Sequence, residues 1–202
     1  MKKNQLQKTE TAKKRNEASH RYNLANNKNM RSGIRRSERK KKNLVKARRK
    51  SFAKADNFVV VCHNIRSAYN IGSVFRTADG AGTAKIYLTG YTPAPPHSGI
   101  SKTALGAEKV VAWEKISRID TALKRLKKEK YKIIALEQSQ KSVSLDSFKS
   151  KGNVALILGN EVRGLNPAVL QKCDKIIEIP MRGEKESLNV SVAFGIAAYT
   201  IL

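Results

Sequence analysis

The chain has 202 residues, 40% of them hydrophobic, which suits one globular domain plus an appendage and leaves enough apolar side chains for a sizeable core. Its 41 Lys and Arg against 16 Asp and Glu give a formal net charge of +25, which points to a polyphosphate partner. No stretch approaches the roughly eighteen apolar residues of a membrane span, and the first thirty residues hold no apolar signal-peptide core, so the expectation is a cytoplasmic protein.

In chain order, residues 1–50 carry 19 Lys and Arg against Glu10, Glu17 and Glu38, a net +16 that leaves +9 for residues 51–202. This arm has almost no apolar periodicity, so burial does not offset the entropy of ordering it, and the composition predicts a basic, flexible extension. Nucleic acid fits it better than lipid, because the Trp, Phe and Leu face of an interfacial helix is lacking. A merely solubilising tail is the competing reading, and an organellar transit peptide is disfavoured by the three glutamates. The composition changes near Ser51 to Asp56, giving an extension over 1–54 and a domain over 55–202.

From there short β-branched runs alternate with helical patterns. The predicted strands are Phe58 to Cys62, Lys85 to Thr89, Val110 to Trp113, Tyr131 to Leu136, Val154 to Leu158 and Lys175 to Ile179. Ile71, Val74, Phe75 and Ala78 keep helical spacing after an Asn70 cap, and Ile119, Leu123 and Leu126 do so in a Lys-rich segment. Gly90 to Ile100, with three prolines and His97, reads as a loop. Asn166-Pro167 predicts the cap and first residue of a short helix to about Cys173, and Asn189 opens a last helix through Val192, Ala193, Ile196 and Ala197. Near-continuous apolar strands alternating with helices predict an α/β fold, a parallel sheet with helices on both faces. In such sheets ligands bind outside the carboxyl ends of the strands, where the polar segments after Leu158 and Ile179 would lie.

Several common chemistries are excluded. No G-x-G-x-x-G follows a predicted strand, and Gly159 and Gly164 have P-loop spacing but Leu165 stands where a phosphate-binding Lys is required. His20, His63 and His97 lie apart, and Cys62 and His63 are strand neighbours facing opposite sides, so no zinc site is indicated. There is no G-x-S-x-G elbow. Cys62 and Cys173 read as small core residues.

Three segments then stand out: Asn70-Ile-Gly-Ser-Val-Phe-Arg76-Thr-Ala-Asp79-Gly-Ala-Gly82, Leu158-Gly-Asn-Glu161-Val-Arg-Gly164-Leu, and Ile179-Pro-Met-Arg-Gly183 followed by Ser187-Leu-Asn-Val-Ser-Val-Ala193. With Lys102-Thr-Ala-Leu-Gly106-Ala, and in this order, they resemble the SpoU/TrmH branch of the SPOUT RNA methyltransferases over residues 57–202. The resemblance implies a trefoil-knotted domain, a homodimer, S-adenosyl-L-methionine as cofactor, and 2′-O-ribose methylation of tRNA or rRNA. It implies cofactor contacts for Gly159, Ile179 and Leu188, with Thr89, Leu158 and Met181 as neighbours, and active-site roles for Arg76, Asn70, Glu161, Ser187 and Asn189. The residue chemistry is compatible: Gly159 permits close approach, and Ile179 and Leu188 supply apolar walls, although plain core packing would also account for the last two.

Arg76 is read as a phosphate clamp and electrostatic activator rather than a base, because a guanidinium gives up its proton only at prohibitive cost. Glu161 is expected to neutralise Arg76 or to shape the cleft. The cofactor brings its own reactive methyl, so no metal is expected. Some members of this branch carry further C-terminal helices for tRNA, whereas here the appendage is N-terminal, which leaves tRNA and rRNA both open. A non-catalytic RNA-binding or ribosome-assembly protein on the same fold, and a base-methylating enzyme, are the alternatives.

Overall fold

A computed structural model describes residues 58–149 and 152–202, together with Lys40. Apart from Lys40, the basic extension over 1–54 and the boundary near residues 51–56 lie outside the described residues.

Seven strands, β1 (Phe58–His63), β2 (Lys85–Thr89), β3 (Ala112–Ile116), β4 (Lys132–Leu136), β5 (Val143–Ser144), β6 (Val154–Leu158) and β7 (Lys175–Glu178), form one sheet in the order β3-β2-β1-β6-β4-β7-β5. Every pairing is parallel. The described residues also hold α1 (Ala68–Ala81), α2 (Ser98–Ala104), α3 (Ile119–Lys128), α4 (Pro167–Leu170) and α5 (Val190–Ile201).

Strand alternation divides the core between the two faces. Phe58, Val60 and Cys62 of β1 join Ile71, Val74 and Phe75 of α1, Ile100 of α2 and Phe194 of α5. Val59 and Val61 face the other way, onto Leu123 and Leu126 of α3 and Val169 of α4. Both faces are covered, which is why the central strands read as unbroken apolar runs. Burial pushes the Cys62 thiol up to about 12, so it stays protonated and packs as a core group.

The differences from expectation have local causes. Helix α1 begins three residues early because Ser67 caps it, accepting from the Asn70 amide at 3.2 Å; Asn70 is therefore not the cap, and its side chain is free for other partners. The strand expected at Val110 to Trp113 runs instead over Ala112–Ile116 at the sheet edge. Val111 is buried after a 3-10 turn at Ala107–Lys109, Val110 is exposed, and an edge strand admits Glu114 and Lys115. The loop expected to reach Ile100 ends at His97, whose Nδ1 accepts from the Gly99 amide and caps α2. Helix α4 stops at Leu170, short of Cys173, and β5 was not expected. No described helix is long and apolar enough to cross a membrane.

Candidate active site

Sheet order reverses between β1 and β6: the chain builds outward from β1 through β2 and β3, and the remaining strands lie on the other side. Loops leaving the carboxyl ends of the neighbouring strands β6, β4 and β7, on one side of this divergence, lie at the edge where open parallel sheets bind ligands. They enclose a cavity of about 300 Å³ lined by Leu158 and Gly159, by Ile179 and Met181, by Ser187 and Leu188, and by Glu137 and Gln138 after β4. That volume is at the lower end of small-molecule sites, and its apolar wall beside polar backbone suits a nucleoside-bearing ligand.

Residues 159–164 make the floor. A Cβ on Gly159 would stand 2.6 Å from the Gly164 carbonyl carbon and 2.8 Å from the Leu165 nitrogen, so the close approach that requires glycine here is to the chain's own turn. The turn is held by buried Asn160. Its Oδ1 accepts from Val162 N at 3.0 Å and Arg163 N at 2.8 Å, and its Nδ2 donates to the Asn64 carbonyl at 2.9 Å and to Tyr91 Oη at 3.0 Å. Gly164 has φ +61°, and a side chain there would run into the Glu137 carboxylate, which accepts from Leu165 N at 2.8 Å.

At the cavity edge Glu161 gathers the start of α1. It accepts from Arg66 N at 2.9 Å, Ser67 N at 3.0 Å and Asn70 Nδ2 at 2.9 Å. Asn70 Oδ1 in turn accepts from Asn189 Nδ2 at 3.0 Å. Asn189 caps α5, its Oδ1 accepting from Ser191 N at 2.9 Å. One hydrogen-bonded line thus joins the loop after β6, the first turn of α1 and the first turn of α5. Burial alone would raise the Glu161 carboxyl, but the amides of Arg66 and Ser67 and the Asn70 side chain outweigh it and hold it below the usual glutamate range.

Of the residues singled out in the sequence, Leu158, Gly159, Glu161, Ile179, Met181, Ser187 and Leu188 line the cavity, and Asn70 and Asn189 join it through Glu161. Two do not. Thr89 is fully buried and bonded to His63 Nδ1 at 2.9 Å, away from the cavity wall, because the register of β2 places it beside β1. Arg76 is exposed on α1 and does not line the cavity. Glu161 accepts from three N–H groups, and no ion pair between it and Arg76 is present among the described residues. Glu137, Gln138, Asn160, Glu178 and Glu186 were not anticipated as lining. For Glu137 and Gln138 the available signal is their position just past a central strand, and for Asn160 it is its place between Gly159 and Glu161 in the second motif.

A family model described as the SpoU rRNA Methylase family matches residues 57–199. The 23S rRNA (guanosine-2′-O-)-methyltransferase RlmB of Xanthomonas axonopodis pv. citri is 31% identical over 141 residues, 70% of this chain and 56% of that protein. The chain thus spans little more than half the length of this relative. The tRNA (guanosine(18)-2′-O)-methyltransferase of Aquifex aeolicus is 33% identical over 147 residues, 71% of this chain and 67% of that protein. The AdoMet-bound rRNA methyltransferase from Sinorhizobium meliloti superposes with a TM-score of 0.66 at 25% identity, covering 71% of this chain and 55% of that one. With its three motifs meeting at one sheet edge, this chain belongs to the SpoU rRNA methylase family.

Proposed function

We propose that residues 55–202 form an S-adenosyl-L-methionine-dependent methyltransferase acting on a ribose 2′-hydroxyl of rRNA or tRNA. The observation that carries the reading is the line from Glu161 through Asn70 to Asn189 beside a cavity walled by Gly159, Ile179 and Leu188. The named activities of the Xanthomonas and Aquifex relatives, and the AdoMet in the Sinorhizobium structure, support it. When bound, the cofactor supplies an electrophilic methyl group. The chain's part is positioning. Ile179, Leu188, Val190 and Ala193 exclude water from one side of the ligand, while Asn160 and Gly159 hold backbone amides and carbonyls rigid for an adenine edge. Asn70 and Asn189 present amide groups at the rim that orient the incoming nucleotide, and Ser187 adds a hydroxyl. Arg76 clamps a phosphate from the exposed face of α1 and favours loss of the hydroxyl proton.

The same reading includes a knotted threading of the third motif, a cytoplasmic site of action, and a first segment, residues 1–54, that grips RNA. It also includes a homodimer, for which Val192, Ile196 and Tyr199, exposed along one stripe of α5, offer apolar surface. Tritiated methyl transfer to bulk rRNA and tRNA, followed by nuclease digestion and mass spectrometry, tests the reaction. A 2′-O-methylnucleoside is expected; a methylated base, or no incorporation despite cofactor binding, would refute the assignment.

A further inference from the structure

Four glutamates, Glu137, Glu161, Glu178 and Glu186, line the cavity, and no Lys or Arg does, in a chain whose net charge is +25. The cations of the bordering loops, Arg163, Arg182 and Lys185, are not part of the wall. None of the four glutamates is ion-paired to another described residue, whereas Glu114 and Asp120 elsewhere on the domain are. Two are consumed by the fold: Glu161 accepts from three N–H groups, and Glu137 from Leu165 N and Gln138 N. Glu178 and Glu186 are differently placed. One Glu178 oxygen accepts from Ser142 Oγ at 2.6 Å, which fixes the carboxylate at the end of β7 and leaves the other oxygen available. The Glu186 backbone carbonyl accepts from Gln138 Nε2 at 2.7 Å, which pins its loop while the carboxylate stays exposed.

Such a lining is unfavourable for an anion and favourable for a cation. Resting on the reading that this cavity holds S-adenosyl-L-methionine, we propose that Glu178 and Glu186 make the site discriminate the cationic methyl donor from its demethylated product. Methyl transfer to a hydroxyl leaves the sulfur its electron pair, so a sulfonium becomes a neutral thioether while the hydroxyl proton passes to solvent. The donor is a net cation and the product a net-neutral zwitterion of nearly the same shape, so apolar walls cannot separate them and the field of the two carboxylates can. Across a cavity of this size, with partial solvent screening, a unit charge is worth on the order of five- to tenfold in affinity. The consequence is that the spent cofactor leaves more readily than the donor.

Calorimetric titration of the full chain tests this, using S-adenosylmethionine, its cationic amine analogue sinefungin, and S-adenosylhomocysteine. In Glu178→Gln/Glu186→Gln the two cationic ligands should bind about five- to tenfold more weakly while S-adenosylhomocysteine changes less than about twofold. In the wild type the gap should narrow as salt is raised. Glu178→Asp, which retains the charge, should keep the discrimination. Equal weakening of all three ligands, or no change in any, would overturn the proposal while leaving the methyltransferase reading intact. Failure of the wild type to bind any of them would overturn both.

Discussion

Removing the Glu161 carboxylate should loosen the start of α1 and the cavity together. In Glu161→Ala the Arg66 and Ser67 amides and the Asn70 side-chain amide lose their acceptor. Three bonds at a net value of about 1 kcal/mol each would cost about 3 kcal/mol, and rehydration at the exposed rim reduces this to about 2 kcal/mol. For a domain of this size that is a fall in Tm of about 4–8 °C. The pH dependence carries the sign. The folded Glu161 carboxyl sits below its unfolded value, so its contribution is complete above about pH 4.3 and is lost as pH falls through the depressed folded value. The difference between wild type and variant should therefore be constant near neutrality and shrink in acid. Urea unfolding across pH, with calorimetry for S-adenosylmethionine, measures both parts. A variant with unchanged Tm and unchanged cofactor affinity would refute the view that this carboxylate ties the motifs together.

Gly159→Ala forces a Cβ to within 2.6 Å of the backbone at Gly164, so the turn must shift. A cost of about 3 kcal/mol and loss of cofactor binding are expected, measured by denaturant melts and calorimetry. Arg76→Ala should abolish methyl transfer while leaving S-adenosylmethionine affinity unchanged, since this exposed residue does not line the cavity; a still-active variant would remove Arg76 from the reaction. Deleting residues 1–50 should weaken RNA binding and flatten the slope of log affinity against log salt, because 19 Lys and Arg go with it. Filter binding at several salt concentrations would reveal an unchanged slope if the arm only solubilises.

The strands that were legible are those at the centre of the sheet. Phe58 to Cys62 and Val154 to Leu158 are buried on both faces and so consist of apolar residues without interruption. The edges were not. Strand β3 pairs with one neighbour and carries Glu114 and Lys115, so its composition looked less strand-like than the neighbouring Val110-Val111, which belongs to a turn. Strand β5 is two residues long, too short for any period to register. Asn70 shows a different failure. Sequence points to Asn70 as the cap of α1, whereas Ser67 takes that place, and Glu161, distant by 91 positions, engages the Asn70 side-chain amide.

The same contact explains why stability and proposed chemistry fall on shared residues. A helix N-terminus exposes amides that need acceptors, and α1 meets part of that need with Ser67 and the residues before it with Glu161, a side chain from the loop after β6. Because Glu161 is thereby fixed, it can fix Asn70, and Asn70 can receive Asn189 at the start of α5, 119 positions away. An acidic side chain at the second motif thus anchors the segment leading into a helix, joins the other two motifs and borders the cavity. Replacing it by any neutral residue that restores the fold through packing should recover Tm without recovering the Asn70–Asn189 alignment, so melting temperature and turnover should part company in such revertants.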